Sequence, residues 1–174
     1  KAEKKGIESS LSRLIMNELS KGDQCIDIGA NYGFITMIMA KSVGLDGHVF
    51  SFEAESYIFQ VLIKNINDNA LDKICTVENY FISNKSNMNV KKIDDIIKQN
   101  RKEKIKLIKI DTDGNESKIL MGATNVLKNP LLKAIIIEMP EDQIEYCYSI
   151  LLESGFKQEE YSFKKSQNEF WIKK

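Results

Sequence analysis

Four short apolar segments of this chain run straight into an acid. They are Cys25 to Asp27, His48 to Glu53, Lys106 to Asp111, and Ala134 to Glu138. Each is strand-sized, and between them the apolar residues recur at helical rather than strand spacing. Alternating strand and helix units of this kind fold as an open α/β sheet with helices on both faces. Such a sheet binds ligands beyond the carboxyl ends of its strands, where strand order reverses. A solvated surface would scatter acids over helices and loops, so acids gathered at strand ends point to a site.

The spacing predicts a first helix through Leu11, Leu14, Ile15 and Leu19, closed by Gly22. A strand at Cys25–Ile28 turns through Gly29 and Gly33 into a helix running to about Val43. His48–Glu53 is the second strand, and Ser56 to Asn69 the second core helix. Ile74 to Val77 is a third strand, and Phe81 to Lys91 is a polar loop by composition. Ile93, Ile96 and Ile97 mark a short helix. Lys106–Asp111 is the fourth strand, followed by one helix over Asn115 to Lys128 that stops before Pro130. Ala134–Met139 is the most apolar strand and is expected at the sheet centre. A helix from Glu141 to Ser154 precedes two strands, Phe156–Tyr161 and Glu169–Ile172, whose short polar link favours an antiparallel pair.

The 174 residues suit one domain, 1–174, with an N-terminal helix over 1–21 and the sheet core from 22 onward. Twenty-five basic and 25 acidic residues balance, so the chain lacks the basic footprint expected of a nucleic-acid or anionic-membrane partner. Its three cysteines are widely spaced in apolar settings, which reads as free buried thiols in a reducing, cytoplasmic compartment. With a single histidine, no metal site is expected, and His48 reads as structural. No apolar run reaches the ~20 residues of a membrane span, and the charged N-terminus is unlike a signal peptide. Nothing in the sequence sets an oligomeric state.

Gly29 can take a positive φ, and both turn glycines would let a ligand approach the backbone. Glu53, some twenty residues beyond that turn, is placed to accept two hydrogen bonds from a ribose diol. That spacing suits nicotinamide enzymes and methyltransferases alike. The turn separates them: Asp27-Ile-Gly-Ala-Asn-Tyr-Gly is not the Gly-x-Gly-x-x-Gly of a dinucleotide site, and Asp27 would repel a pyrophosphate. S-adenosyl-L-methionine, with its sulfonium and ammonium groups, suits an acidic pocket better. An NAD-dependent oxidoreductase and a cofactor-binding module without transferase activity are the alternatives.

Taken together, Asp27-Ile-Gly-Ala-Asn-Tyr-Gly, Phe52-Glu-Ala, Ile108-Lys-Ile-Asp-Thr-Asp-Gly-Asn-Glu, Leu120-Met-Gly-Ala and Ile136-Ile-Glu-Met resemble the FkbM-type methyltransferases of the class I S-adenosyl-L-methionine-dependent fold. The resemblance spans roughly Gly22 to Met139, with a shorter segment than usual between Tyr80 and Ile105. It implies a Rossmann-like, mostly parallel sheet with a C-terminal antiparallel hairpin strand. It also implies methyl transfer to a hydroxyl of a small-molecule, sugar or lipid acceptor.

By that resemblance Asp27, Gly29, Ala30, Asn31, Tyr32 and Gly33 surround the cofactor's methionine part, and Glu53 with Ala54 holds the ribose. Asn79 and Tyr80 line the adenine, with Glu78 or Asn79 as partner of its amino group. Asp111 lies near the ammonium or the methyl. From the residues themselves, Glu138 either emerges from the sheet into solvent or is enclosed near Asp111, where like-charge repulsion raises one of the two pKa values; Asp111 or Glu138 is then the candidate general base. Other readings stand beside these. Asp113 and Glu116 have capping-box spacing, Lys109 either faces solvent or pairs with a strand-end acid, and Tyr32, Phe34 and Trp171 either stack on a ligand or pack in the core.

Overall fold

The computed structural model describes residues 2–100, 104–161, 163 and 167–173. In chain order the elements are α1 (Ala2–Glu18), β1 (Gln24–Ile28), α2 (Phe34–Val43), β2 (His48–Phe52), α3 (Ser56–Asp68), β3 (Cys75–Glu78), β4 (Phe81–Ile82), β5 (Val90–Lys91) and α4 (Ile93–Asn100). They continue as β6 (Ile105–Ile110), α5 (Glu116–Met121), α6 (Thr124–Lys128), β7 (Ala134–Glu138), a 3₁₀ turn (Glu141–Gln143), α7 (Ile144–Glu153), β8 (Lys157–Glu159) and β9 (Asn168–Ile172). Part of the expected polar link between the last two strands, residues 162 and 164–166, lies outside the described residues.

Seven strands form one sheet in the order β3-β2-β1-β6-β7-β9-β8. β1, β2, β3, β6 and β7 are mutually parallel, while β9 runs antiparallel to both β7 and β8. The chain builds outward from β1 to β3, crosses back, and builds outward again from β6 to β7. The reversal therefore lies between β1 and β6, and the ligand crevice of such a sheet opens above their carboxyl ends.

Because side chains alternate across a strand, the sheet carries two cores. Ile26, Ile28, Phe50, Phe52, Ile108, Ile110, Ile135 and Ile137 face α4 to α7. Cys25, Val49, Leu107, Ala134 and Ile136 face α1 to α3. The registers Asp27↔Ser51, Asp27↔Lys109 and Lys109↔Ile136 put Ser51, Asp27 and Lys109 in one row on that second face. Two residues further along each strand, the same face carries Glu53, Gly29, Asp111 and Glu138. The period of the pleat alone thus gathers the strand-end acids on one side of the sheet.

Several expectations are corrected. The sheet centre is β6, not Ala134–Met139; apolarity on both faces reports burial, which an off-centre inner strand shares. The helix expected over Asn115–Lys128 breaks into α5 and α6 at Gly122, where a Cβ would stand 2.1 Å from the Ser83 carbonyl oxygen of a crossing chain. The Phe81–Lys91 loop is pinned by a short parallel bridge between β4 and β5. The Asp113–Glu116 capping box is absent: Asn115 is the N-cap of α5, and Glu116 bonds back to Thr112 instead.

Candidate functional site

A cleft of about 1120 Å³ opens above the carboxyl ends of β1, β2, β6 and β7, exceeding the ~300–1,000 Å³ of most ligand pockets. Its lining includes Gly29, Ala30, Asn31, Tyr32, Glu53, Ala54, Tyr80, Asp111 and Glu138, all expected from the sequence. A hollow of about 600 Å³ along β8 and β9 holds none of the strand-end acids.

The glycine turn at the base is built by its own backbone. Gly29 has φ +75°, and a Cβ there would stand 1.9 Å from the Asp111 carbonyl oxygen. The missing side chain thus admits the end of β6 rather than a ligand. The N–H groups of Gly29 and Ala30 both donate to the Phe52 carbonyl, and that of Asn31 donates to Glu53 Oε2 at 2.9 Å. Gly33, at φ +88°, opens α2 against Leu62 Cδ1, which a Cβ would meet at 2.6 Å. Gly33 is therefore a packing residue beneath the cleft, not part of its lining.

Glu53 is 8% exposed and held from two sides: Oε2 by Asn31 N–H, and Oε1 by Glu55 N–H at 2.8 Å. A carboxylate offers about four acceptor positions, so each oxygen keeps capacity toward the cleft. Asn79 does not line the cleft. Its Nδ2 donates to the carbonyls of Glu53 and Ala54 at 2.7 and 3.0 Å, bracing the turn that presents Glu53. Glu78 is likewise outside the lining. Ala54, Ile58, Tyr80 and Phe81 add apolar surface to the same lining as Glu53.

Asp27, expected to contact a cofactor, is fully buried and lies outside the cleft lining. Its Oδ2 accepts from Thr36 Oγ1 at 2.6 Å, which in turn accepts from Ser51 Oγ at 3.1 Å. Its Oδ1 lies 3.5 Å from Lys109 Nζ. Lys109, 3% exposed, does not face solvent; of its two readings the pairing one holds, and with two acids at once. Nζ reaches Asp111 Oδ2 at 3.2 Å and donates to the Gly29 carbonyl at 3.3 Å. Burial works against the ammonium, but Asp27 and Asp111 outweigh it and raise its proton affinity.

Asp111 is half-exposed into the cleft and fixed by the loop that follows. Glu116, fully buried, accepts from the N–H and hydroxyl of Thr112, and Gln143 of the 3₁₀ turn bonds the Gly114 carbonyl and the Ser117 N–H. Glu138, half-buried at the end of β7, is pushed above its ordinary range chiefly by burial, then by Asp111, against the pull of Lys109. Its cross-strand neighbour Asn168 also lines the cleft. Leu11 of the first helix and Asp113 of the loop after β6 also join the lining, as do Thr112 and Gln167, which the sequence did not single out; the pairing of β7 with β9 is the feature that leads to Asn168.

Among the aromatic candidates, Tyr32 and Phe34 are exposed at the cleft mouth. Trp171 is core, edge-on to Tyr148 and bonded to Glu169. His48 is structural, with Nε2 2.8 Å from Thr76 Oγ1. No group of residues able to hold a metal ion occurs among those described. No described helix is long and apolar enough to cross a membrane.

Similar folds occur in several solved proteins. A protein described as an rRNA-methylase from Clostridium thermocellum superposes with a TM-score of 0.69 at 14% identity, covering 94% of this chain and 92% of that one. A SAM-dependent O-methyltransferase from Thermotoga maritima gives 0.64 at 16%, covering 95% of this chain and 64% of the other. Aeropyrum pernix fibrillarin, solved with S-adenosyl-L-methionine natively bound, gives 0.63 at 11%, covering 93% and 72%. At these identities the likeness is one of fold. Comparison with curated protein sequences found no match. The family model for protein-L-isoaspartate(D-aspartate) O-methyltransferase matches residues 9–79. The model for the methyltransferase FkbM domain matches residues 72–158, half of the chain and the half that carries Asp111, its braced loop and Glu138. By that match, and by the Rossmann-like sheet around it, the chain belongs to the FkbM methyltransferase domain family.

Proposed function

We propose that this protein binds S-adenosyl-L-methionine in the cleft and transfers its methyl group to a hydroxyl oxygen of a small-molecule, sugar or lipid acceptor, with residues 1–174 acting as one methyltransferase domain. The observation that carries the reading is the single row of Glu53, Gly29, Asp111 and Glu138, in which a fixed carboxylate faces two more across a gap without a side chain. The residues fit the cofactor. Glu53 has acceptor capacity for a ribose diol, the apolar lining at Ile58, Tyr80 and Phe81 suits a flat ring, and the Asp111 carboxylate suits an ammonium. NAD fits less well, because the turn amides a pyrophosphate would use already serve Phe52 and Glu53.

When bound, the cofactor supplies an electrophilic methyl carbon on a sulfonium. The chain's task is then to hold the acceptor oxygen about 3 Å from that carbon and in line, and to receive the hydroxyl proton. Glu138 is the acid we assign to the proton, since its raised affinity suits uptake and it lines the cleft beside Asp111. The lining includes apolar Leu11, Phe34 and Ile35 as well as polar Glu138 and Asn168, which gives an acceptor both apolar and polar surface to meet. The fold is shared with O-methyltransferases and with a protein described as an rRNA-methylase, so it does not choose the acceptor. The balanced charge of the chain favours a neutral one.

The test is mass-spectrometric detection of S-adenosylhomocysteine during incubation with a panel of hydroxylated sugars, lipids and aromatic alcohols, with an RNA arm. Turnover with a hydroxylated member supports the reading, and turnover with RNA alone would replace the acceptor assignment. Cofactor binding without turnover anywhere would favour a non-catalytic module.

A further inference from the structure

Lys109 is an expensive residue for its place. It sits in the central strand with its charge almost wholly out of water, where an apolar side chain would be as stable or more so. Pairing with Asp27 would account for the burial of both, but Lys109 does more than pair. Its Nζ is 3.5 Å from buried Asp27, 3.2 Å from half-exposed Asp111, and 3.3 Å from the Gly29 carbonyl of the turn. It also lines the cleft itself. One ammonium thus joins the floor of the site, the glycine turn and the only one of its three partners that projects toward a ligand.

Glu138 stands next to this group. Among the described residues, the charges that face it are Asp111 and Lys109 from β6 and Glu116 from α5, and Asn168 is its partner on β9. Asp111 and Glu116 hinder its ionisation, while Lys109 favours it. Among the described residues, Asp111 has a cation in contact, Lys109, and Glu138 has none.

We infer that Lys109 is a positioning residue that divides the labour between these acids, fixing Asp111 as the anion that meets the cofactor's positive end and leaving Glu138 as the group that takes the acceptor's proton. The inference rests on the methyltransferase reading for its purpose, but its physical content belongs to the free protein. In the step it serves, the acceptor O–H bond breaks toward a Glu138 carboxylate oxygen as the acceptor oxygen bonds carbon, and the sulfur keeps the electron pair of the broken C–S bond.

The test is ¹³C-carboxyl NMR titration of Glu138 in the ligand-free protein, with calorimetry of S-adenosyl-L-methionine alongside. Lys109→Met alone would strand Asp27, so it is made together with Asp27→Asn, and Asp27→Asn alone is the control. In the double variant the Glu138 midpoint should move up by roughly half a pH unit or more relative to the control, and cofactor affinity should fall about ten-fold. Should the double variant not fold, Asp111→Asn leaves the buried pair intact and should move the Glu138 midpoint down. A Glu138 midpoint unmoved in whichever of these variants folds would overturn the inference. Wild-type protein that fails to bind the cofactor would instead overturn the methyltransferase reading, leaving the titration result standing.

Discussion

Replacing Gly29 with alanine tests the part of the site built by backbone alone. At φ +75° an L-residue costs about 1–2 kcal/mol relative to glycine. The added Cβ would also stand 1.9 Å from the Asp111 carbonyl oxygen, so the ends of β1 and β6 must part by about 1 Å. Overpacking of that kind costs about 1–3 kcal/mol. The expected loss is therefore about 2–5 kcal/mol, and because the displaced residue is Asp111, its contact with Lys109 should loosen as well. Gly22 is the natural control, with φ +87° but nothing within 4 Å of its Cβ position. Urea unfolding of both variants should show only the conformational cost for Gly22→Ala and the larger loss for Gly29→Ala. Calorimetry should show weakened S-adenosyl-L-methionine binding for Gly29→Ala alone. Equal stabilities, with cofactor affinity unchanged in both, would refute the account of the turn.

Glu53→Ala should cost about 2 kcal/mol of cofactor binding, roughly thirty-fold in Kd, as expected for hydrogen bonds to a charged acceptor; unchanged affinity would remove Glu53 from the site. Glu138 binds protons more readily in the folded state than its ordinary value of 4.5 implies, so the stability it contributes is present at low pH and lost as pH rises through its raised value. Glu138→Gln should accordingly gain stability over wild type at pH 8 but not at pH 4, read by urea unfolding at the two pH values; a gain equal at both would contradict the shift. The three cysteines are buried, with burial foremost in pushing Cys75 up to about 12 and Cys147 to about 11. Native protein at pH 8 should therefore leave an aromatic disulfide reagent unreacted until urea is added, and one fast-reacting thiol before unfolding would be at odds with the packing.

The strand-end acids were legible because both signals that mark them are local: an apolar run fixes the strand, and the next residue is the acid. Their shared face follows from the pleat once neighbours are known. Lys109 was undecided because its reading depends on β1 lying beside β6, a pairing between residues 82 positions apart that periodicity does not reveal. The break at Gly122 has the same origin, since the obstacle is the backbone of Ser83 far away in the chain. Asp27 and Asn79 lie beside the cleft but outside its lining. Whether a strand-end side chain turns up to the ligand or down to brace the turn is decided by partners such as Thr36 and the Glu53 carbonyl. The most apolar strand, β7, is not the central one, because sequence reports burial on two faces and not the number of strands on either side.

We propose the acidic row above β1, β2, β6 and β7 as the site for S-adenosyl-L-methionine. Parallel calorimetric titrations of the wild-type protein with S-adenosyl-L-methionine and with NAD test it directly. One molecule of S-adenosyl-L-methionine bound per chain, lost in Glu53→Ala and unmatched by NAD, is the predicted result; NAD binding without S-adenosyl-L-methionine binding would contradict it.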